Sequence, residues 1–367
     1  MVTWVPLLAV VLILWMFSSA IPRDLPIGVI DEDHSALSRQ LVRMLDVSPG
    51  MQVQEEFESE SSVQAAIRNV RVYGVVNIPR DFERDVKRGM SPQVTFRHNA
   101  QFATQSGLLQ RDVRTVVGTL AAGIEMSTRA KRGESAQQAK VSFNPIQTQS
   151  LALFNISGNY EKFLTAAVIP AILHILAMTA GAWAVGRELR DRTLGQWLDR
   201  TSVPSALGAL LGKLAIPWIT LSGIGAAALG FLTAGHGWII PGSALWVGLG
   251  LGLLLALSLA AGGLVAAATK SLRTALSVTG LITAPAFAFC GMSFPLSAMP
   301  DSARIWAQSM PFTHYIRLQT EQLLMGSPIH ATATTLLVFF IGTVLMLILG
   351  AWCLAQAQSR PQTWGAR

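Results

Sequence analysis

Charge is the scarcest commodity in this chain. Only 13% of its 367 residues are Asp, Glu, Lys or Arg, where a soluble protein usually carries about 25%. Together with a mean hydropathy of +0.43, that deficit excludes an ordinary soluble enzyme, and the 51% apolar content excludes disorder. Cysteine is nearly absent: Cys290 and Cys353 both lie in apolar runs, so no disulfide framework can be read from them and they say nothing about redox compartment. There is no phosphate-binding glycine loop, no nucleophile elbow and no Ser/His/Asp arrangement. These absences argue against an enzyme and against any ATP site in the chain itself.

What charge there is falls unevenly. Residues 22–160 hold 16 Lys+Arg and 15 Asp+Glu, a net of +1, while the other 228 residues hold 12 and 6, a net of +6. A segment of normal soluble composition is therefore inserted in a membrane protein. The basicity belongs to membrane-proximal loops and is not a nucleic-acid signal.

Six apolar stretches are long enough to matter: 2–21, 163–185, 214–234, 244–269, 275–292 and 332–355. Each can cross a hydrocarbon core of about 30 Å at about 1.5 Å per residue, the fifth being the shortest. Pro170, Pro217, Pro285 and the Gly248-Leu-Gly250-Leu-Gly252 run are tolerable in lipid, and the Gly248/Gly252 spacing is a weak signal for close helix contact. Arg187, Arg190, Arg192, Arg200 and Lys213 crowd one loop, Lys270 and Arg273 another, and Arg360 and Arg367 the tail, whereas 235–243 has no Lys or Arg. The positive-inside rule makes the basic loops cytoplasmic. Six spans then place both termini inside and residues 22–160 outside. The first stretch also resembles a signal peptide ending at Ser18-Ser19-Ala20, but no Lys or Arg precedes it and Trp15, Met16 and Phe17 crowd the cleavage position. A retained anchor is the better reading.

Residues 25–160 alternate strand-like and helix-like patterns. Strands are expected over 25–30, 52–57, 72–78 and 92–96, and helices over 35–45, 60–70, from 79 onward, and over 102–131. The expected fold class is thus an α-helical polytopic membrane protein with six transmembrane helices and an inserted extracytoplasmic α/β (α+β) domain. Its parts are a first span over 1–21, the domain over 22–160, the remaining spans over 161–356 and a cytoplasmic tail over 357–367. Asp31-Glu32-Asp33-His34 has the composition of a metal or catalytic cluster at a strand end. Acids and Ser35 at a helix start are equally explained as caps, and with His98 a lone residue the structural reading is preferred.

Within the spans His174 is the clearest ionisable residue, a possible intramembrane polar site. The plainer reading is a neutral imidazole bonded to a neighbouring helix. No Asp, Glu, Lys or Arg occupies a span interior, so ion-driven transport lacks its usual group. Energy for transport would have to come from a partner. The stretch Gly186-Arg-Glu-Leu-Arg-Asp-Arg-Thr-Leu-Gly-Gln-Trp-Leu198 has charges on one side and Leu194, Trp197 and Leu198 on another, as an amphipathic docking helix would over about 187–200. A solvated loop helix after the stop-transfer charges is the alternative. Gly291-Met-Ser-Phe-Pro295, Met299-Pro300, Trp306, Met310-Pro311-Phe-Thr-His-Tyr315 and Gly326 read as a break after span five and short helices dipping back, a re-entrant segment over about 293–326.

On these residues the chain resembles the permease subunits of ABC-2 type exporters, in particular the multidrug-efflux-like subgroup with a large extracytoplasmic domain between spans one and two. The family's coupling pattern runs roughly Arg-Glu-x-Glu-Arg-Gly-Thr-Leu-Glu-x-Leu-Leu, then Pro, then Gly-Lys. Arg187, Glu188, Thr193, Leu194, Leu198, Pro204, Gly212 and Lys213 match it. Arg190 replaces the second acid and Asp191-Arg192 replaces Arg-Gly. Phe154-Asn155, Asn159-Tyr160, Phe163 and Pro170 at the approach to span two, and the Phe294–Gly326 stretch, are also similar to the family. Family members usually begin with an Arg-rich cytoplasmic amphipathic helix that this chain lacks, from which a truncated or misassigned start is expected.

The resemblance implies a transporter without a catalytic site, cofactor site or metal site of its own, ATP and Mg being bound by a separate ABC ATPase subunit. Arg187, Glu188, Arg190, Arg192, Thr193, Leu194, Trp197 and Leu198 would couple to that subunit, with Glu188 and Arg190 as polar contacts and Leu194 and Trp197 as an apolar plug. A second permease, identical or a sibling, would complete a dimer in the bacterial inner membrane. The large domain would be periplasmic, facing an adaptor and outer-membrane channel, and no nucleic acid is expected. The substrate would be hydrophobic or amphipathic. The alternative from another class is a non-transporting receptor or scaffold whose outer domain binds a ligand or envelope protein.

Overall fold

The computed structural model describes residues 3–16, 23–58, 60–69, 71–98, 103–131, 160–198, 201–292, 294 and 296–364. Ser18-Ser19-Ala20, Phe154-Asn155, Arg200 and Pro295 lie outside them. The chain divides into two compact units, Met1–Ser19 with Asn159–Arg367, and Ala20–Gly158.

The first unit opens with α1 (Trp4–Met16), an apolar helix that buries Val10 and Ile13 in the unit's core and leaves Trp4, Leu8 and Leu12 exposed. Its 13 residues reach about 20 Å, short of a bilayer core; 17–22 are outside the described residues.

The second unit follows the alternation of its sequence: β1 (Leu25–Asp31), α2 (Ala36–Asp46), β2 (Met51–Glu56), α3 (Glu60–Arg68), β3 (Gly74–Ile78), α4 (Phe82–Lys87), β4 (Thr95–His98) and α5 (Ala103–Lys131). The sheet order is β2-β1-β3-β4, parallel except for the antiparallel β3–β4 pair. The period-2 alternation sorts the strand residues onto two faces. Ile27, Val29, Val76 and Ile78 pack under α2 and α5 with Leu41, Leu45, Leu109 and Val113, and Ile30 and Val75 pack with Val63, Ala66 and Phe57 on the other side. Gly28 is what lets Phe57 lie on β1, since a Cβ there would sit 2.3 Å from the Phe57 ring. β4 is shorter than expected because 91–94 make no ladder and pairing starts at Asn77–Thr95.

The Asp31–His34 cluster proves to be capping hardware. Asp31 accepts the backbone N–H groups of Asp33 and His34, each at 3.0 Å, and the Ser38 hydroxyl at 2.7 Å. Ser35 and Ser38 close a capping box on α2. Asp33 reaches across to cap α4, accepting from the Glu83 N–H at 3.0 Å, where Asp81 makes no side-chain cap of its own. Desolvation pushes the Asp33 carboxyl up, but bonds from Ser35 and from the Glu83, Phe82 and Asp81 backbones outweigh it and hold the group below its usual range.

The rest of the first unit is helical: α6 (Tyr160–Arg190), α7 (Leu194–Trp197), α8 (Val203–Gly230, continued by a π turn over Phe231–Gly235), α9 (Ala244–Thr269), α10 (Leu272–Thr283), α11 (Ala286–Phe289), α12 (Asp301–Ser309), α13 (Pro311–Thr320, then a π turn over Glu321–Met325) and α14 (Ile329–Gln358). Five helical segments are long and apolar enough to cross a membrane: Leu164–Arg190, Val203–Gly235, Ala244–Thr269, Leu272–Phe289 and Thr332–Gln358. Against six expected spans, five reach that length among the described residues.

Helices α8, α9 and α10 each begin on a serine that accepts a backbone N–H three residues on: Ser202 from Ser205, Ser243 from Trp246 and Ser271 from Thr274. Ser202, with Pro204 in the first turn, starts α8 eleven residues before the expected span at 214. The basic loop is correspondingly shorter. After α10 the chain breaks at Ala284-Pro285; α13 then turns Phe312, Tyr315 and Ile316, and the π turn after it Leu323, into the unit's core.

α9 lies at the centre, packed against α6, α8, α10, α13 and α14. α6 and α9 approach closest at two glycines. A Cβ at Gly181 would lie 2.1 Å from the Leu259 carbonyl oxygen, and one at Gly262 would lie 2.0 Å from the Met178 oxygen. Gly248 has nothing within 4 Å and Gly252 nothing closer than 3.9 Å, so neither position needs glycine for a close backbone approach within this chain, although Trp218 of α8 donates to the Gly252 carbonyl at 2.8 Å.

Candidate functional site

The expected coupling stretch over 187–200 is not one helix. α6 carries on to Arg190, a turn follows, and α7 is a single turn over Leu194–Trp197. The stop has the form of a Schellman cap: the Thr193 N–H donates to the Glu188 carbonyl at 2.9 Å while Arg192 takes a left-handed φ of 59°. Arg192 occupies the position where the family pattern has glycine. A non-glycine residue there costs roughly 1 kcal/mol. Arg192→Gly is accordingly expected to raise thermal stability slightly, read as a melting temperature in detergent, and a clear decrease would show that the arginine side chain makes a contact worth more than the strain.

Four side chains close this corner. The Glu188 carboxylate accepts from the Thr193 hydroxyl and from the Lys213 ammonium of α8. The Lys213 ammonium sits over the Trp197 ring, 4.2 Å from its centroid, within cation–π range. Side-chain exposure is only 14% for Glu188 and 25% for Lys213, so the pair is partly desolvated and removing either partner costs more than at a surface bridge. Leu189, Leu194 and Leu198 are fully buried in the unit's core.

That last finding changes the expected roles. Leu194, expected as an apolar plug for a partner, helps fasten α7 to its own chain instead, since a one-turn helix stays in place only through tertiary ties. Glu188, expected as a polar contact, is engaged internally. The exposed rim consists of Arg187, Arg190, Asp191, Arg192, Gly195 and Gln196. Arg190 bonds Asp191 at 2.8 Å and lies 5.4 Å from the Trp183 ring centroid, and Arg187 stands 3.7 Å from Asp191. The hydrogen bond from Arg190, with its charge and that of Arg187, holds the Asp191 carboxyl below the ordinary range despite slight desolvation.

His174 stands elsewhere, on the inner face of α6. Its Nδ1 lies 2.7 Å from the Ser258 hydroxyl, which donates to the Leu254 carbonyl at 2.6 Å. A hydroxyl has one proton to give, so Ser258 accepts from Nδ1–H, which fixes the tautomer. The ring stacks on Phe312 at 5.7 Å and 18°, and Nε2 has no hydrogen-bond partner. The arrangement ties α6, α9 and α13 together, as the plainer reading of this residue expects.

Two turns away is a cavity of about 50 Å³ lined by Thr165, Pro170, Ser222, Gly225, Tyr315 and Gln319, among others. Pro170 has no N–H for the Ala166 carbonyl, and the Gln319 side chain supplies the missing donor. Among the described residues no group of His, Cys, Asp or Glu could hold a metal ion.

Sequence reasoning missed Gln358 and Trp364. Gln358 Nε2 donates to the Leu198 carbonyl at 2.9 Å, 160 residues away, a contact that no local pattern announces. The pattern of the family described as "ABC-2 family transporter protein" matches residues 1–352. The chain is also similar to the linearmycin resistance permease protein LnrN of Bacillus subtilis (strain 168), 23% identical over 301 residues that cover 78% of this chain and 76% of that protein. With the family pattern spanning the first apolar helix through most of the last, the chain belongs to the ABC-2 family transporter proteins.

Proposed function

We propose that the chain is the membrane subunit of an ATP-driven exporter, powered by a separate ATPase subunit that docks on the α6–α7 corner. The observation that carries this reading is the corner itself: α7, too short to stand alone, is bolted to α6 and α8 by Glu188, Thr193, Lys213 and Trp197. Around it lies an exposed basic rim of Arg187, Arg190 and Arg192. A push on such a corner is delivered to two long helices at once. The rim gives a partner charge to recognise.

In this reading the chain lies in the bacterial inner membrane with both termini cytoplasmic, and the Ala20–Gly158 unit is periplasmic. Two permeases form the pathway, and the substrate is hydrophobic or amphipathic, because the spans carry so little charge. The similarity to a resistance permease favours a cargo whose removal protects the cell. The periplasmic unit is then the place for an adaptor to bind.

Co-expression with the candidate ATPase subunit and purification through a tag on this chain provides the test. The wild type should retain the ATPase. Arg187→Glu with Arg190→Glu should lose at least tenfold of it while the chain still elutes as a folded species, because both residues are exposed and outside the core. Retention of the ATPase by the charge-reversed chain would remove the corner from the docking site.

A further inference from the structure

The corner has a further anchor that the docking reading does not use. After α14 the chain folds back through a 3-10 turn over Pro361–Thr363. Trp364 Nε1 donates to the Ala357 carbonyl at 2.7 Å, which closes the turn onto the end of α14. The Trp364 ring packs against the unit's core, and a Cβ built at Gly195 would lie 4.0 Å from its edge. One turn earlier, Gln358 donates to the Leu198 carbonyl at 2.9 Å. Leu198 is the C-terminal cap of α7, and its own N–H is already bonded to the Leu194 carbonyl at 2.9 Å. So both the C-terminal carbonyl of the α7 turn and its exposed Gly195 side are held by the end of α14 and the tail that follows.

Gly195 is exposed on α7, and a Cβ added there would be in ordinary van der Waals contact with the Trp364 ring, so a bulky branched side chain at this position would have the indole as its neighbour.

We infer that Gln358 and Trp364 are positioning residues that latch α7 to α14, so that displacement of α7 moves α14 together with α6 and α8. The transmission part of this inference rests on the reading of α7 as the ATPase docking corner; the latch itself does not. Without the latch α7 keeps its ties to Glu188 and Lys213 but loses its connection to the last helix. Motion delivered at the corner then reaches α14 only indirectly, through its packing against α8 and α9; the outward side of α14 carries a long row of exposed apolar residues such as Leu337, Ile341, Leu345 and Ile348.

Hydrogen–deuterium exchange on the full-length chain in detergent tests the two parts separately. In the chain alone, Trp364→Ala should speed exchange of the 194–198 amides by about tenfold, with a peptide from the middle of α9 unchanged and the melting temperature nearly so. Gln358→Ala should give part of that effect. Trp364→Phe, which keeps a ring against Gly195 but loses the indole N–H, should restore most of the protection. Gly195→Leu should produce the reciprocal lesion and release the 360–364 amides. Unchanged exchange at 194–198 in Trp364→Ala overturns the latch. With the co-purified ATPase and ATP·Mg plus orthovanadate, exchange at the C-terminal end of α14 should shift in the wild type and by clearly less in Trp364→Ala. An equal shift in both overturns transmission through the tail. Failure of any ATPase to bind the wild type overturns the docking reading and leaves the first set of results standing.

Discussion

Alanine at Gly181 or at Gly262 sharply lowers the melting temperature of the detergent-solubilised chain, and leucine at either position leaves no folded species to purify. The expectation follows from what the added atoms meet. A Cβ on Gly181 lies 2.1 Å from the Leu259 oxygen and 2.8 Å from its carbonyl carbon; a Cβ on Gly262 lies 2.0 Å from the Met178 oxygen and 2.9 Å from the Ala182 nitrogen. These are backbone atoms of the facing helix, and they cannot rotate aside as a side-chain end can. Relief requires α6 and α9 to separate, and α9 is the helix on which the rest of the unit packs. Overpacking a core costs about 1–3 kcal/mol, occasionally more, and these two sites belong at or beyond the upper figure. The seam also contains the His174–Ser258 bond, so a wider gap strips a buried imidazole of its partner as well. Gly248→Ala and Gly252→Ala are the controls, with nothing closer than 3.9 Å to either added carbon, and should purify as the wild type does. If Gly181→Ala melts where Gly248→Ala does, the close approach of α6 and α9 is not what holds the unit together.

That contrast also shows how far the sequence can be read. In the second unit the alternation of Ile27 and Val29 against Ile30, and of Val75 against Val76, is enough to place strands and assign their faces, because a period of two has one meaning in a sheet covered on both sides. In the helical unit nearly every position is apolar, so composition identifies spans but not seams. Gly248, Gly252, Gly181 and Gly262 look alike in the sequence; only the distance to the next helix separates them. Hydropathy marks only the apolar part of a helix, so the stretch over 214–234 belongs to a helix that starts at Val203, where Ser202 caps it. At the site, the residue types from Arg187 to Leu198 point to an amphipathic helix but not to its break after Arg190, and the apolar side of such a segment does not say whether it faces a partner or its own core. Leu194 faces its own core. Gln358 and Trp364 lay beyond reach, since their contacts join positions far apart in the chain.

Glu188→Ala and Lys213→Ala should each destabilise the chain by roughly 2–3 kcal/mol, somewhat below the 3–5 kcal/mol of a fully buried pair because both side chains keep some exposure, and the two effects should not add. Removing Glu188 leaves the Lys213 ammonium partly buried with only the Trp197 ring beside it, and frees the Thr193 hydroxyl. Removing Lys213 leaves a carboxylate with one neutral donor, and takes the cation from the Trp197 face. Once one charge is gone the second has no attraction left to lose, so the double variant should melt close to the worse single one, a coupling of roughly 2–3 kcal/mol. Strictly additive shifts would mean that the two groups do not interact in the folded chain. The functional consequence follows from length. Four residues cannot keep a helical turn in water, since nucleation is unfavourable until several bonds share its cost. The position of α7 is thus set by its ties, of which the Glu188 carboxylate is the one that reaches both Thr193, at its N-terminal cap, and α8. Loss of that carboxylate should release the docking corner while the basic rim remains, and ATPase retention should fall in Glu188→Ala even though Arg187 and Arg190 are untouched. A Glu188→Ala chain that retains the ATPase as well as the wild type would place recognition in the rim alone and leave the corner with only a structural role.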